Sequence, residues 1–149
     1  MLHDEVTLKS GKIAKLYHHE DLRDARAVPL MLRTYAEMID KGFNIRYGLG
    51  FTNDSSMIWA EVDNVPVGGI CFVKWGYSKT HWIALSFTDP AWRGEGINYH
   101  CHMELEQLTR ERGFLYIASL VSVNNLPRIK SCERVGLQKE FYRMSKRIV

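Results

Sequence analysis

The 149-residue sequence lacks any sign of an export signal. Met1-Leu2-His3-Asp4-Glu5 opens on acids, with no apolar stretch behind it, so a cytoplasmic protein is expected. Cysteine is scarce. Cys71, Cys101 and Cys132 are odd in number and widely spaced, which excludes a closed disulfide framework or a zinc knuckle and points to a reducing compartment. No metal is expected. No long uncharged apolar run is present, which excludes a membrane helix, and no membrane partner is expected. Proline numbers only 4, and there is no repeat, low-complexity tract or Pro/Ser-rich linker, so residues 1–149 read as one domain. Charge of one sign is also in short supply: 20 Lys plus Arg against 17 Asp plus Glu leave a surplus of +3. That is too small for an obligatory nucleic-acid binder, though not for a local basic face.

What is present is an ordinary globular composition, 46% apolar and 11% aromatic. Residues 12–17 alternate charged and apolar side chains and predict a first strand. A helical region opens at His18-His19-Glu20, with Asp21 as N-cap, and divides at Pro29, which cannot sit inside a helix without deleting a hydrogen bond. The second helix is expected over 29–41, stopped by Gly42, with Leu30, Leu32, Tyr35, Met38 and Ile39 facing the core. Residues 43–56 form a long loop, the kind more often functional than idle. Strands are expected over 57–62 and 65–75 about an Asp63-Asn64 turn, and Gly68-Gly69 mark a bulge or a close backbone approach. A strand over 81–88 follows the Gly76-Tyr77-Ser78 turn. Next come a helix over 97–112 with Ile97, Cys101, Leu105 and Leu108 on one stripe, a buried strand over 114–121, a short helix over 125–134 ended by Gly136, and a last strand over 137–148. Strands and helices in this order make an α/β domain with a mixed sheet.

The chemistry concentrates at Asp89-Pro90-Ala91-Trp92-Arg93-Gly94-Glu95-Gly96-Ile97-Asn98, where a strand enters a glycine-containing turn and a helix begins at once. Glycines let successive N–H groups turn inward, the helix N-terminus adds positive dipole, and Arg93 at the rim adds a charge-assisted contact to phosphate. No Gly-Lys-Ser/Thr follows, so this is not a Walker A loop. A plain strand-to-helix turn is the competing reading of the glycines alone.

From Leu85 to Leu137 the chain resembles the GNAT superfamily of acyl-CoA-dependent N-acetyltransferases. The family turn is Gln/Arg-x-x-Gly-x-Gly/Ala after a Val-x-Pro-like step. Here Thr88-Asp89-Pro90 and Arg93-Gly94-Glu95-Gly96-Ile97-Asn98 stand in those places. The family's Val-x-x-Asn and its Tyr-Glu-Lys-Leu-Gly-Phe helix end match Val121-Ser122-Val123-Asn124-Asn125 and Cys132-Glu133-Arg134-Val135-Gly136-Leu137. Glu61-Val62-Asp63-Asn64-Val65-Pro66-Val67-Gly68-Gly69 is similar to the family's second and third strands.

The resemblance implies an α/β (α+β) single domain with a twisted mixed sheet of about six to seven strands and about four helices, splayed to admit acetyl-CoA as co-substrate. It implies that Arg93, Gly94, Glu95, Gly96, Ile97 and Asn98 hold the CoA pyrophosphate through backbone N–H groups. Phe87 and Thr88 would pair with the pantetheine arm and present an N–H to the thioester oxygen, and Asn125 would touch the arm from the other side. The reaction is then direct attack of an amine, on a small molecule or a protein, with backbone donors holding the oxyanion and orientation supplying most of the rate.

Three departures stand out. Asn98 replaces the family's Gly or Ala, so its side chain points away or intrudes. Cys132 replaces the tyrosine that protonates the leaving thiolate. A thiol with a pKa of about 8.5 is able to donate that proton, and packing as a small apolar residue is the alternative. The strand over 81–88 carries no carboxylate to act as base. Ser86 is able to hold a water there, and His81 lies at the strand's far end.

His100 and His102 point about 200° apart on a helix, so they do not chelate one ion and one of them should face solvent. Trp75 and Tyr77 are the aromatic candidates for an acceptor pocket. The basic residues from Arg128 onward read as a solvated strand edge or as a site for the CoA 3′-phosphate, with Arg128 placed closest to the cofactor. A shortened sheet edge invites completion by a second copy, a homodimer. The competing function is a catalytically degenerate protein of the same fold serving as a binding or assembly module. A small nucleic-acid binder rests on the basic tail alone.

Overall fold

The computed structural model describes residues 2–42 and 55–140, with residues 146 and 148. Its sheet is built in chain order from β1 (Leu2–Thr7), β2 (Ile13–His19), β3 (Ser56–Val62), β4 (Val65–Trp75), β5 (Thr80–Thr88) and β6 (Tyr116–Ser119). Neighbours are antiparallel from β1 to β5, and β6 joins β5 in parallel, so the sheet is mixed. The parallel junction needs a crossover, supplied by α2 (Ile97–Glu111). The other helices are α1 (Val28–Asp40) and α3 (Leu126–Arg134).

Turn chemistry sets the register. Asp63 and Asn64 take φ of 50° and 63°, the paired left-handed conformation that a two-residue hairpin loop requires. Gly68 and Gly69 are present because nothing larger fits: a Cβ on Gly69 would stand 2.6 Å from the Ile58 carbonyl oxygen, and one on Gly68 2.8 Å from that of Phe87. Strand alternation then sends side chains to two cores. Ile58, Ala60, Ile70, Phe72 and Ile83 pack under Ile97, Cys101 and Leu105 of α2. Met57, Trp59, Cys71, Leu85 and Phe87 pack on the other face under Leu30 and Met31 of α1.

Several expectations are corrected. β1 lies ahead of the expected first strand, and His18 and His19 end β2 instead of opening a helix. Asp21 does cap, but a short 3-10 turn, Leu22–Asp24. On α1, Leu32 (47% exposed) and Ile39 (52%) face outward, because the buried stripe runs through Leu30, Met31 and Thr34. β6 is four residues long, with Tyr116 exposed and the rest half-buried, because it borders the sheet among the described residues. His102 is buried and His100 half-buried, so neither faces solvent freely. Residues 137–140 are not strand. The rest of that expected strand, and almost all of the 43–56 loop, lie outside the described residues. No helix among the described residues is long and apolar enough to cross a membrane.

Candidate active site

β5 is paired on both sides for only part of its length. Thr80 to Ile83 match Tyr116 to Ser119 of β6, and beyond Ile83 that side of β5 has no strand partner among the described residues. The separation begins where β5 bulges: Cys71 opposes Leu85 but Phe72 opposes Ile83, which leaves Ala84 as the extra residue. A bulge bends its strand and shifts the side-chain parity. Accordingly Ile83 faces α2, whereas Leu85 and Phe87 face α1 and Ser86 faces α2. The result is an unpaired backbone edge, the candidate cleft, along the Leu85–Thr88 half of β5 among the described residues.

Backbone direction follows from one bond. The Asp89 N–H donates to the Val67 carbonyl at 2.9 Å. In an antiparallel pair such bonds recur at every second residue, so Phe87 turns its N–H and C=O to Gly69, and Ser86 and Thr88 turn theirs to the cleft. Phe87, 1% exposed, underlies the cleft as core.

At the Thr88 end the chain makes a 3-10 turn, Pro90–Trp92, capped by Asp89 Oδ1 accepting from the Ala91 N–H at 2.9 Å. Gly94 and Gly96 follow at φ of 83° and 86°, and α2 starts from Gly96 without a side-chain cap. The first backbone bond of that helix runs from the His100 N–H to the Gly96 carbonyl. Among the described residues no backbone carbonyl accepts from the amides of Gly94, Glu95, Gly96, Ile97 or Asn98. A Cβ on Gly94 would meet nothing within 4 Å, so the turn is uncrowded at that position. Left-handed glycines that expose consecutive amides at a helix start make an anion cradle.

Four ties hold this turn in place. The Glu95 carbonyl accepts from the Lys9 N–H at 3.3 Å, and Glu95 Oε2 accepts from the Ser10 N–H at 2.9 Å, which clips the turn to the β1–β2 hairpin. The Ser10 amide also holds the Glu95 carboxyl below its usual pKa. From α1, Arg33 pairs with Asp89 at 3.1 Å and Glu37 with Arg93 at 3.5 Å. The Arg93 side chain at the rim is therefore engaged by a carboxylate, and Glu37, Arg33 and Ser10 join the site without any local sequence signal.

Near this turn two enclosed side-chain atoms lack a hydrogen-bond partner among the described residues: Ser86 Oγ on β5 and Asn98 Oδ1 on α2. Buried polar atoms rarely lack a partner, which marks both positions as unusual. Across the cleft, Asn125 caps α3 by accepting from the Arg128 N–H at 3.3 Å. Asn125, Arg128 and Cys132 recur at i, i+3 and i+7 on one stripe, and Cys132 is buried. Burial raises the Cys132 thiol pKa more than the neighbouring Arg128 lowers it, so the thiol keeps its proton at neutral pH.

His81 sits apart, at the Thr80 end of β5. Its Nδ1–H donates to Thr109 Oγ1 at 2.8 Å, because the Thr109 hydroxyl spends its own proton on the Leu105 carbonyl, and Nε2 accepts from Arg112 at 3.2 Å. Burial, and secondarily Lys74, push its pKa down to about 4, so it is neutral. Arg112 is paired in turn with Glu20, which also accepts from Ser56 and Lys74. Trp75 and Tyr77 stand exposed at the β4–β5 turn, Trp75 beside Trp82. No group of metal ligands occurs among the described residues.

A profile of the acetyltransferase (GNAT) family matches residues 17–137. No curated protein sequence matches the chain. Solved structures do. An aminoglycoside acetyltransferase from an uncultured soil metagenomic sample, in complex with trehalose, is similar with a TM-score of 0.68 at 13% identity, over 91% of this chain and 97% of that one. A ribosomal-protein-alanine N-acetyltransferase from Brucella melitensis gives 0.67 at 16% identity, over 91% and 99%. An aminoglycoside N-acetyltransferase in complex with CoA gives 0.61 at 15% identity, over 88% and 99%. At these identities the likeness is one of fold.

Proposed function

The chain belongs to the acetyltransferase (GNAT) family, and from that premise we propose that it moves an acetyl group from acetyl-CoA to an amine by direct attack in a ternary complex. The observation that carries this reading is the run of amides from Gly94 to Asn98 with no backbone acceptor of their own, set at the mouth of the cleft beside β5. Those amides would hold the diphosphate, with Arg93 turning from Glu37 to a phosphate oxygen. The Ser86 and Thr88 backbone groups would pair with the pantetheine arm along the open edge, over Phe87, and Asn125 would face the arm from α3. The Ser86 N–H is then the donor aimed at the thioester oxygen, where negative charge grows during attack.

Holding both reactants in line supplies most of the acceleration. With no carboxylate on β5, a water on Ser86 Oγ is the proposed acceptor of the amine proton. Cys132, which keeps its own proton, is the proposed donor to sulfur. The acceptor is an amine on a small molecule or a protein. The structural neighbours named for aminoglycosides and for a ribosomal protein support that breadth.

Thermal melting with acetyl-CoA tests the reading. A ligand at a hundred times its Kd adds about 2.7 kcal/mol, a rise of about 5–11 °C for a chain of this size. Arg93→Glu should abolish the rise. No shift at millimolar acetyl-CoA refutes the proposal. Binding without CoA release across a panel of amines favours the non-catalytic module. Light scattering with and without acetyl-CoA tests for a homodimer.

A further inference from the structure

Two neutral oxygens stand alone where oxygens seldom do. Ser86 Oγ on β5 and Asn98 Oδ1 on α2 are shut off from solvent, and neither has a hydrogen-bond partner among the described residues. Each has lost its hydration and gained nothing in return. An alanine at position 98 would suit the helix better and strand no oxygen.

The two oxygens belong to one place. Ser86 opposes Ile70, which packs under α2, so the Ser86 side chain leaves β5 on the α2 face. Two contacts fix how α2 lies over that face. At its start, a Cβ on Gly68 would stand 2.9 Å from Ile97 Cγ2 and 3.2 Å from Thr88 Cα, which sets the first helical residue beside Thr88. Near its end, Thr109 Oγ1 accepts from His81 Nδ1 at 2.8 Å. The helix therefore runs back along β5 from Thr88 to His81. Asn98 precedes Thr109 by three turns plus about 20°, so it shares the β5-facing side of the helix, about 16.5 Å along the axis. Ser86 lies about 13–16 Å along β5 from His81, the bulge at Ala84 taking up part of a step. Asn98 and Ser86 thus stand level on facing elements.

Level, enclosed and not bonded to each other, they flank a gap that calls for a donor. An amide carbonyl only accepts, and no charged group is paired with either oxygen among the described residues, so the occupant is neutral and brings hydrogens of its own. Water meets that description. We infer that Asn98 is a positioning residue: with Ser86 it holds one water between α2 and β5 and aims it at the reacting amine. This rests on the acetyl-CoA reading above and deepens it by giving the water that takes the amine proton its second anchor. One water hydrogen goes to Asn98 Oδ1 and the other to Ser86 Oγ, which leaves the lone pairs for the amine. Ser86 carries both that hydroxyl and the amide proposed for the thioester oxygen, so the two functions lie within one residue. The nitrogen bonds to the acyl carbon, the C–S bond breaks, and its electron pair stays on sulfur. The surplus proton on nitrogen goes to the water, which passes one on to solvent, and the sulfur regains a proton from Cys132 or from solvent.

Two measurements test this. A crystal structure of the unliganded protein should show a water within about 3.2 Å of both Ser86 Oγ and Asn98 Oδ1. Kinetics then test the role, with acetyl-CoA against spermidine, kanamycin and tetra-alanine as amines. Asn98→Ala keeps the helix and the backbone amide of the cradle but drops one anchor of the water. It should lower kcat about tenfold, the scale of one hydrogen bond, with KM for acetyl-CoA and for the amine within about twofold and no fall in melting temperature. Asn98→Asp returns an accepting oxygen and should recover kcat, while its charge beside the diphosphate raises KM for acetyl-CoA. A side chain that merely packs would move melting temperature and KM, and would not distinguish the two variants in kcat.

A direct bond between Ser86 and Asn98, or a side chain filling the gap between them, overturns the inference without recourse to any variant. Unchanged kcat in Asn98→Ala overturns it too, as does an Asn98→Asp protein no faster than the alanine variant. If acetyl-CoA binds and none of the three amines releases CoA, the catalytic reading and this inference fall together. If acetyl-CoA does not bind, the acetyl-CoA reading itself falls, and a water seen in the crystal survives only as a structural bridge.

Discussion

Replacing Gly68 by alanine adds one methyl group where the strand floor of the cleft meets α2. That methyl would stand 2.8 Å from the Phe87 carbonyl oxygen, 2.9 Å from Ile97 Cγ2 and 3.2 Å from Thr88 Cα. Two of the three are backbone atoms that no side-chain rotation can move, and the third belongs to the first residue of α2. The overlap is roughly half an ångström, enough to turn attraction into repulsion. Either β5 shifts toward the cleft or α2 lifts off the sheet. Overpacking of this kind costs about 1–3 kcal/mol, and at this chain length each kcal/mol lowers the melting temperature by about 2–4 °C. The expected fall is therefore about 2–12 °C by calorimetry, with weaker acetyl-CoA stabilisation because the displaced atoms border the cleft. Two further glycines calibrate the result. Gly94→Ala meets no atom but must hold φ of +83°, which costs about 1–2 kcal/mol by backbone strain alone. Gly76→Ala meets no atom and needs no unusual φ, so it should change stability by less than about 0.5 kcal/mol. If Gly68→Ala melts with Gly76→Ala, the close packing of β4, β5 and α2 is not what the distances say it is.

Other outcomes follow from the same site. Glu37→Gln frees Arg93 for the diphosphate, so acetyl-CoA should bind up to about fivefold tighter at low salt, the scale of an exposed ion pair, and the gain should vanish at high salt in calorimetric titrations. His81 is neutral in the fold with a pKa of about 4 against an ordinary 6.5, so the unfolded chain binds the extra proton between those values. Its contribution, at most about 3 kcal/mol, is complete above pH 6.5 and is lost as pH falls to 4. His81→Phe should flatten that part of the melting-temperature profile. Cys132→Ala should slow acetyl transfer by about a hundredfold, the low end for a proton donor, while leaving cofactor affinity nearly unchanged in the same assay. Equal rates in the two proteins would show that the thiol only packs.

Features governed by local rules were legible in the sequence. The Asp63-Asn64 turn, Pro29 near the start of α1, the short α3 helix and Gly136 as its stop all follow from backbone preferences of a few neighbouring residues. The start of α2 after Gly94 and Gly96 was legible for the same reason. Facing was harder. On α1 both the Leu30–Met31–Thr34 stripe and the Leu32–Ile39 pair satisfy helical spacing, and only the sheet beneath decides between them. β1 escaped notice because its pairing with β2, across the Leu8 to Lys12 turn, matters more than its own alternation. The pair Arg33–Asp89 joins residues 56 apart and leaves no trace in the chain. Arg128 reads as solvated because charged residues surround it in sequence, and its enclosure is a tertiary fact.

The clip between the hairpin and Glu95 gives the amino-terminal strands a say in ligand grip. Lys9 and Ser10 reach the site only through Glu95, and the turn that would meet the diphosphate borrows its shape from that tie across 85 positions. A fusion partner pulling on that end of the molecule, or a shortened turn between β1 and β2, would blunt affinity while every cleft residue stayed native. Homologous chains that remodel their first dozen residues would thereby retune donor binding from a distance.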